Sequence, residues 1–242
     1  MTINKTNKQQ KTIKEQVKLL AQESLQRSEP SGWFDLIYQQ AGDDATQVPW
    51  AKMQPYPYFH DWLNELQPSN LSGLNSLVIG CGLGDDAEAL ADLGVENITA
   101  FDISPHAIAW CKKRFSNSKV NYLVADLFNL NAEWSKKFDF VYECRNIQAL
   151  PLNVRTEVIT NIANLVADNG ILLVINYFRD NDEELTDSPP WALSKHEFDL
   201  FKKLGLKENK INTYFEKENK IQIAEYIKTE QLILDKSVFA FR

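Results

Sequence analysis

The chain is poor in residues that build covalently stapled or metal-held proteins: 242 residues contain three cysteines and three histidines. Cys81, Cys111 and Cys144 are too few and too scattered for a disulfide framework or a metal site, so no metal is expected, and their usage suits a reducing cytosol. Positive charge is also in short supply. With 26 Lys and Arg against 33 Asp and Glu, the formal net charge is −7, which argues against a nucleic-acid or anionic-membrane partner. The short runs Lys112-Lys113-Arg114 and Lys136-Lys137 read as solvated surface. No apolar run reaches the length of a membrane span, and the N-terminus lacks an apolar signal core. What remains is 44% hydrophobic, enough for one sizeable core. The expectation is a cytoplasmic domain.

Composition divides the chain. Residues 1–31 are polar and Lys/Gln-rich; Ile13, Val17, Leu20 and Leu25 give only a weak helical period, which predicts a frayed tail leading into a helix. Residues 32–242 read as a single domain. Its first part, 32–70, is aromatic and punctuated by Pro49, Pro55 and Pro57, which delay any helix until about Tyr58. Such a segment serves either as ordinary packing or as a cover over a flat ligand, with Tyr38 and Trp50 the cover residues in the second case.

One stretch organises the rest: Asn75-Ser-Leu-Val-Ile-Gly-Cys-Gly-Leu-Gly-Asp-Asp-Ala-Glu-Ala-Leu-Ala91. It reads as buried strand, tight turn, then helix. Gly80, Gly82 and Gly84 allow a ligand close to the backbone, beside unpaired N–H groups of a helix start. The spacing is G-x-G-x-G. A dinucleotide fingerprint would place its third glycine at position 85, where Asp85 stands instead. Asp85 and Asp86 would repel a pyrophosphate, whereas a ligand with a cationic amino-acid end and no phosphate fits. S-adenosylmethionine is such a ligand.

Strands with helices between them follow. Asn97–Ser104 is a strand with Asp102 near its end, placed for ribose hydroxyls, and Ser104-Pro105 caps the next helix. Val120–Leu127 predicts a third strand ending in a second acid, Asp126, which has no standard role in a dehydrogenase. Phe138–Cys144 is a fourth, followed by Glu143-Cys144-Arg145-Asn146 where an open sheet meets its substrate. Cys144 reads as a small buried residue, and Arg145 either holds a carboxylate or pairs with Glu143. A helix over 154–166, closed by Asp168-Asn169-Gly170, leads to a fifth strand at 171–178. An acidic loop, a helix from Ser194 with a Ser194/Glu197 capping box, and two strands at 207–215 and 221–229 complete the chain. Tyr177, Arg179 and Trp191 stand where a substrate loop belongs.

From about Trp33 to Leu206 the chain resembles a class I S-adenosylmethionine-dependent methyltransferase, most like the thiopurine and halide/thiol branch. The resemblance rests on Gly80-Cys-Gly-Leu-Gly-Asp-Asp86 with Ala89-Leu-Ala91, Phe101-Asp-Ile-Ser104, Ala125-Asp-Leu127, Ala149-Leu-Pro151 with Arg155, and Ser188-Pro-Pro-Trp191. It departs at Glu143 to Gln148, where the family members carry aromatic residues near the reacting centre. The resemblance implies an α/β, Rossmann-like three-layer sandwich whose seven-stranded, mostly parallel sheet has an antiparallel last strand. It implies that Gly80, Gly82 and Gly84 border the methionine part, Asp102 holds the ribose, and Asp126 with Leu127 holds the adenine. Trp50, Cys81, Asp86, Ile103 and Glu143 complete the expected cofactor set, and Arg145, Tyr177, Arg179 and Trp191 the expected acceptor pocket. The expected reaction is methyl transfer to a small-molecule acceptor, with a thiol one candidate. The alternatives are an O- or N-methyltransferase, a non-catalytic S-adenosylmethionine-binding module and a nucleotide-cofactor oxidoreductase. No general base stands out: His60, His106 and His196 all have ordinary readings, which favours a soft or already ionised acceptor.

Overall fold

A computed structural model describes residues 2–27, 29–66, 73–181 and 183–229. Its elements are α1 (Thr2–Gln26), α2 (Trp33–Ala41), α3 (Pro57–Glu65), β1 (Asn75–Ile79), α4 (Asp85–Asp92), β2 (Asn97–Asp102), α5 (Pro105–Arg114), β3 (Asn121–Val124) and β4 (Phe138–Cys144). Then come α6 (Leu152–Leu165), β5 (Val166–Arg179), β6 (Leu193–Ser194), α7 (Lys195–Lys203), β7 (Leu206–Glu216) and β8 (Asn219–Lys228).

Strand sequences alternate apolar residues toward two cores because successive side chains leave a strand on opposite faces. Val78, Phe140, Tyr142, Leu173 and Ile175 point to one face and meet α3, α4 and α5 through Phe59, Trp62, Leu90 and Ile108. Leu77, Ile79, Val141, Leu172 and Val174 point to the other and meet α6 and α7 through Val158, Ile159, Ile162, Phe198 and Phe201. Each of these large side chains contributes about 1.5–3 kcal/mol by leaving water. The product is the expected three-layer α/β sandwich. The sheet runs β3-β2-β1-β4-β5-β8-β7, the expected seven strands, with the two-residue β6 added beside β5 as an eighth. β1 to β5 are parallel, and β8 enters antiparallel between β5 and β7, as expected of the last strand.

Three expectations need correction. Asp168-Asn169-Gly170 does not cap α6, which ends at Leu165; the chain goes straight into β5. There Phe138 pairs with Val166 and Phe140 with Ile171, so residues 167–170 bulge out. Asn169 sits at φ +65°, and a Cβ on Gly170 would meet two carbonyl oxygens at 2.9 and 3.0 Å. The third strand is short, ending at Val124, so that Asp126 lies in the turn beyond it. Residues 2–26 form one helix instead of a frayed tail. Ala21 of that helix is buried with Trp33 and Ile37 of α2.

Candidate active site

β1, β2, β4 and β5 end at the same edge, and a cavity of about 1390 Å³ opens there. Its floor is the β1–α4 loop. Gly80 and Gly82 have φ of +57° and +54°, a region that side chains with a Cβ disfavour. A Cβ on Gly80 would fall 1.8 Å from Asn146 Oδ1, and one on Gly82 would fall 3.1 Å from Tyr38 Oη. Glycine is needed because two side chains from elsewhere close over the loop. The Cys81 amide donates to Phe101 O at 2.9 Å and the Gly82 amide to Asp102 Oδ2 at 3.0 Å, which ties the loop to β2. Asp102 Oδ1 accepts from Ser104 N at 2.9 Å. Burial pushes the Asp102 carboxyl up to about 6, against the pull of these two amides.

The paired acids at the helix start have separate tasks. Asp85 also lines the cavity but takes a forked ion pair from Arg114 at 2.7 and 2.9 Å. Asp86 faces the cavity, accepts Tyr56 N at 2.7 Å and Tyr142 Oη at 3.2 Å, and has no cation beside it. Burial pushes it up to about 6. The negative charge at this end of the cavity is therefore Asp86, with Asp85 largely neutralised.

Of the expected cofactor residues, Trp50, Gly80, Cys81, Gly82, Asp86, Asp102, Ile103, Asp126 and Leu127 all line the cavity. Gly84 and Glu143 do not. Gly84 caps α4 at φ +92°, where a Cβ would meet Tyr122 Oη at 2.7 Å, so its smallness serves packing. Glu143 is fully buried beneath the floor; Oε1 accepts Asn146 N at 2.7 Å and Ile147 N at 3.1 Å, and Oε2 accepts Asn176 Nδ2. Burial pushes its carboxyl up to about 7. It does not pair with Arg145. Trp50 sits over the opening, its indole N–H donating to Tyr38 Oη at 2.7 Å and its ring edge-on to Trp33, Phe34 and Tyr38.

At the acceptor end, Arg145 and Tyr177 line the cavity together, and the guanidinium lies 4.5 Å from the Tyr177 ring centroid. Arg179 also lines it, but its N–H groups go to the carbonyls of Asp180, Asn181, Glu183 and Ala192, which shapes the loop. Trp191 does not line it; its amide donates to Gln148 O at 2.7 Å and its indole to Thr186 O at 2.8 Å. Arg155, 1% exposed, fastens this loop by donating to Leu150 O, Trp191 O and Glu197 Oε1 at 2.7–2.9 Å.

Sequence reasoning placed Asn146 and Gln148 near the substrate end but gave neither a role. Asn146 Nδ2 donates to Ile79 O at 2.9 Å across the loop, and buried Gln148 accepts Tyr177 N at 2.7 Å. No sequence signal discloses what either holds, because both act through strands distant in the chain. No histidine lines the cavity, and burial pushes the Cys144 thiol up, away from a nucleophilic thiolate. Among the described residues no acid, cysteine or histidine cluster could hold a metal, and no helix is long and apolar enough to cross a membrane.

Residues 77–170 match the family model of a methyltransferase domain. The matched segment runs from β1 through the glycine loop to the start of β5, within a sheet of Rossmann-like order. An O-methyltransferase of Pyrenophora dematioidea is 28% identical over 123 residues, 49% of this chain and 44% of that protein. The chain thus spans less than half of that relative. The N-methyltransferase NodS of Bradyrhizobium japonicum WM9, solved with S-adenosyl-L-homocysteine, has the same fold at TM-score 0.63 and 19% identity, covering 81% of this chain and 98% of its own. So does the magnesium protoporphyrin IX methyltransferase of Synechocystis PCC 6803, also with bound S-adenosyl-L-homocysteine, at TM-score 0.58 and 16% identity over 71% and 81%.

Proposed function

We propose that the protein is an S-adenosylmethionine-dependent methyltransferase acting on a small molecule, with a thiol the first acceptor to test. One observation carries this reading. The G-x-G-x-G loop hangs on a buried acid, Asp102, and opens into a cavity lined by an uncompensated acid, Asp86, while the cation at the helix start, Arg114, is taken by Asp85 and lies outside the lining. That is a cradle for a nucleoside with a cationic tail and a poor one for a pyrophosphate.

The residues present fit the cofactor. Asp102 has lone pairs left for ribose hydroxyls after its two amides, Asp126 and Leu127 flank the adenine place, and Trp50 with Ile103 covers it. Gly80, Cys81 and Gly82 offer backbone to the methionine part, and Asp86 counters its ammonium. When bound, S-adenosylmethionine supplies an activated methyl on a sulfonium, so the protein's work is alignment and exclusion of water. Trp50, Tyr38 and α1 side chains Ile13 and Val17 enclose the cavity from above. No histidine or thiolate lines the cavity, and in this reading Asp86 is taken by the ammonium and Asp102 by the ribose, which leaves a neutral alcohol or amine without a dedicated base. A thiol ionises near neutral pH on its own, and an ionised oxygen needs no base, which keeps an O-methyltransferase as the second reading beside the O-methyltransferase relative.

The test is turnover with methyl-labelled S-adenosylmethionine against panels of small thiols, phenols, carboxylic acids and amines. Label transferred to thiols above all supports the reading. Label transferred only to protein or nucleic acid overturns the small-molecule acceptor.

A further inference from the structure

Arg145 is the most unusually held side chain in the cavity. Its own φ is +63°, in the left-handed region, although it is neither glycine nor asparagine. The guanidinium lies between two rings, 4.6 Å from the centroid of Tyr56 and 4.5 Å from that of Tyr177. Stacking of this kind fixes the plane of the fork. Nη2 donates to Tyr56 Oη and, at 2.9 Å, to Oε2 of Glu216, the last residue of β7. Nε is buried and has no partner among the described residues.

The other cations around the cavity are accounted for. Lys220 pairs with Asp180 and Glu183 at 2.6 and 3.0 Å, Arg179 is spent on carbonyls, and Lys52 and Lys217 are exposed. Arg145 alone combines a fixed plane, an unused donor and a counter-ion that can leave. Glu216 is that counter-ion: its side chain is 46% exposed at the end of β7, and an ion pair so placed is worth little. Its carboxylate stands where a ligand's carboxylate would sit.

Building on the methyltransferase reading, we infer that Arg145 is the seat for a carboxylate of the acceptor, and that Glu216 is an intramolecular occupant which the acceptor displaces. This narrows the acceptor to a small mercapto- or hydroxy-carboxylic acid. A carboxylate engaged by the guanidinium has its lone pairs committed, so it is the anchor, and the methylated atom is a second group of the same molecule.

The experiment titrates benzoate, benzamide and benzylamine calorimetrically into protein saturated with S-adenosylhomocysteine. The same titrations are run on Arg145→Met and Glu216→Gln. In the wild type benzoate binds about tenfold tighter than benzamide, and benzylamine does not bind. Glu216→Gln tightens benzoate further by about threefold to tenfold and leaves benzamide unchanged, while Arg145→Met removes the preference. Equal binding of benzoate and benzamide, or indifference of benzoate to Glu216→Gln, overturns the inference while leaving the methyltransferase reading intact. Loss of S-adenosylhomocysteine affinity in Arg145→Met, with benzoate competing against it, assigns the arginine to the cofactor's carboxylate and also overturns it. Failure of the wild type to bind S-adenosylhomocysteine overturns both.

Discussion

The floor and the roof of the cavity are built on different principles. The floor is backbone held by backbone and by buried carboxylates: the loop from Gly80 to Gly84 hangs on Phe101 O, Asp102 and Asn146. The roof is side chain on side chain, with Trp33, Phe34, Tyr38 and Trp50 meeting ring to ring around a single hydrogen bond. A floor of this kind tolerates little change in shape, since the Cys81 and Gly82 amides have fixed partners and side chains press on Gly80 and Gly82. Aromatic contacts are individually small and adjust to what lies beneath them. The first design suits a cofactor of constant shape, and the second suits a surface that must let ligands in and out.

Four substitutions or titrations bear on this contrast. The largest effect belongs to Gly80→Ala, which adds both a left-handed alanine and a clash with Asn146 Oδ1. It should cost about 2–4 kcal/mol in chemical denaturation, against about 1 kcal/mol for Gly94→Ala, which also has positive φ but open space around it. Equal costs at the two positions would show that the floor is not held as described.

Asp102→Ala comes next. Removing a buried carboxylate that serves both the loop and the ribose place should weaken S-adenosylhomocysteine by about 10- to 100-fold by calorimetry. A change below about threefold would take the ribose away from Asp102.

The third is a titration. Asp86 and Asp102 are raised by burial to about 6, and Glu143 to about 7. The folded state therefore holds protons that the unfolded chain has already released, so these groups lower stability as pH rises from about 4 to about 7, with no further loss above that. Denaturation midpoints across this range should show Asp86→Asn closing part of the gap at neutral pH. A variant whose profile parallels the wild type would contradict the buried, unpaired state of Asp86.

The smallest effect is in the roof. Tyr38→Phe deletes the acceptor for the Trp50 indole and should cost about 1 kcal/mol of stability. A loss as large as that of Gly80→Ala would erase the distinction between the two walls.

The same contrast explains what could be read in the sequence. Glycine spacing, the acid at the end of β2 and the alternation of apolar residues are local patterns that gave the strands and helices, whereas the antiparallel β8 was expected from the family resemblance those patterns carry. The 167–170 bulge was misread as a helix cap because Asp-Asn-Gly suits either, and only pairing with β4 decides between them. Arg155, quoted as part of a motif, proved to be a buried fastening for Trp191 and α7. Its partners lie on three separate stretches of chain. Gly84 and Glu143 carry sequence marks of a cofactor loop, yet the structure uses one for helix packing and the other to hold the turn after β4. The contacts of Asn146 and Gln148 and the clasp of Tyr56 and Tyr177 around Arg145 were not legible in the sequence, since each depends on contacts between strands or across the cavity.

The most direct measurement of the central claim is calorimetric titration of the wild-type protein with S-adenosylmethionine and S-adenosylhomocysteine, with NADH as the rival cofactor. The account predicts micromolar binding of both sulfur ligands and silence with NADH. Binding of NADH, or no binding of either sulfur ligand to well-folded protein, would contradict it.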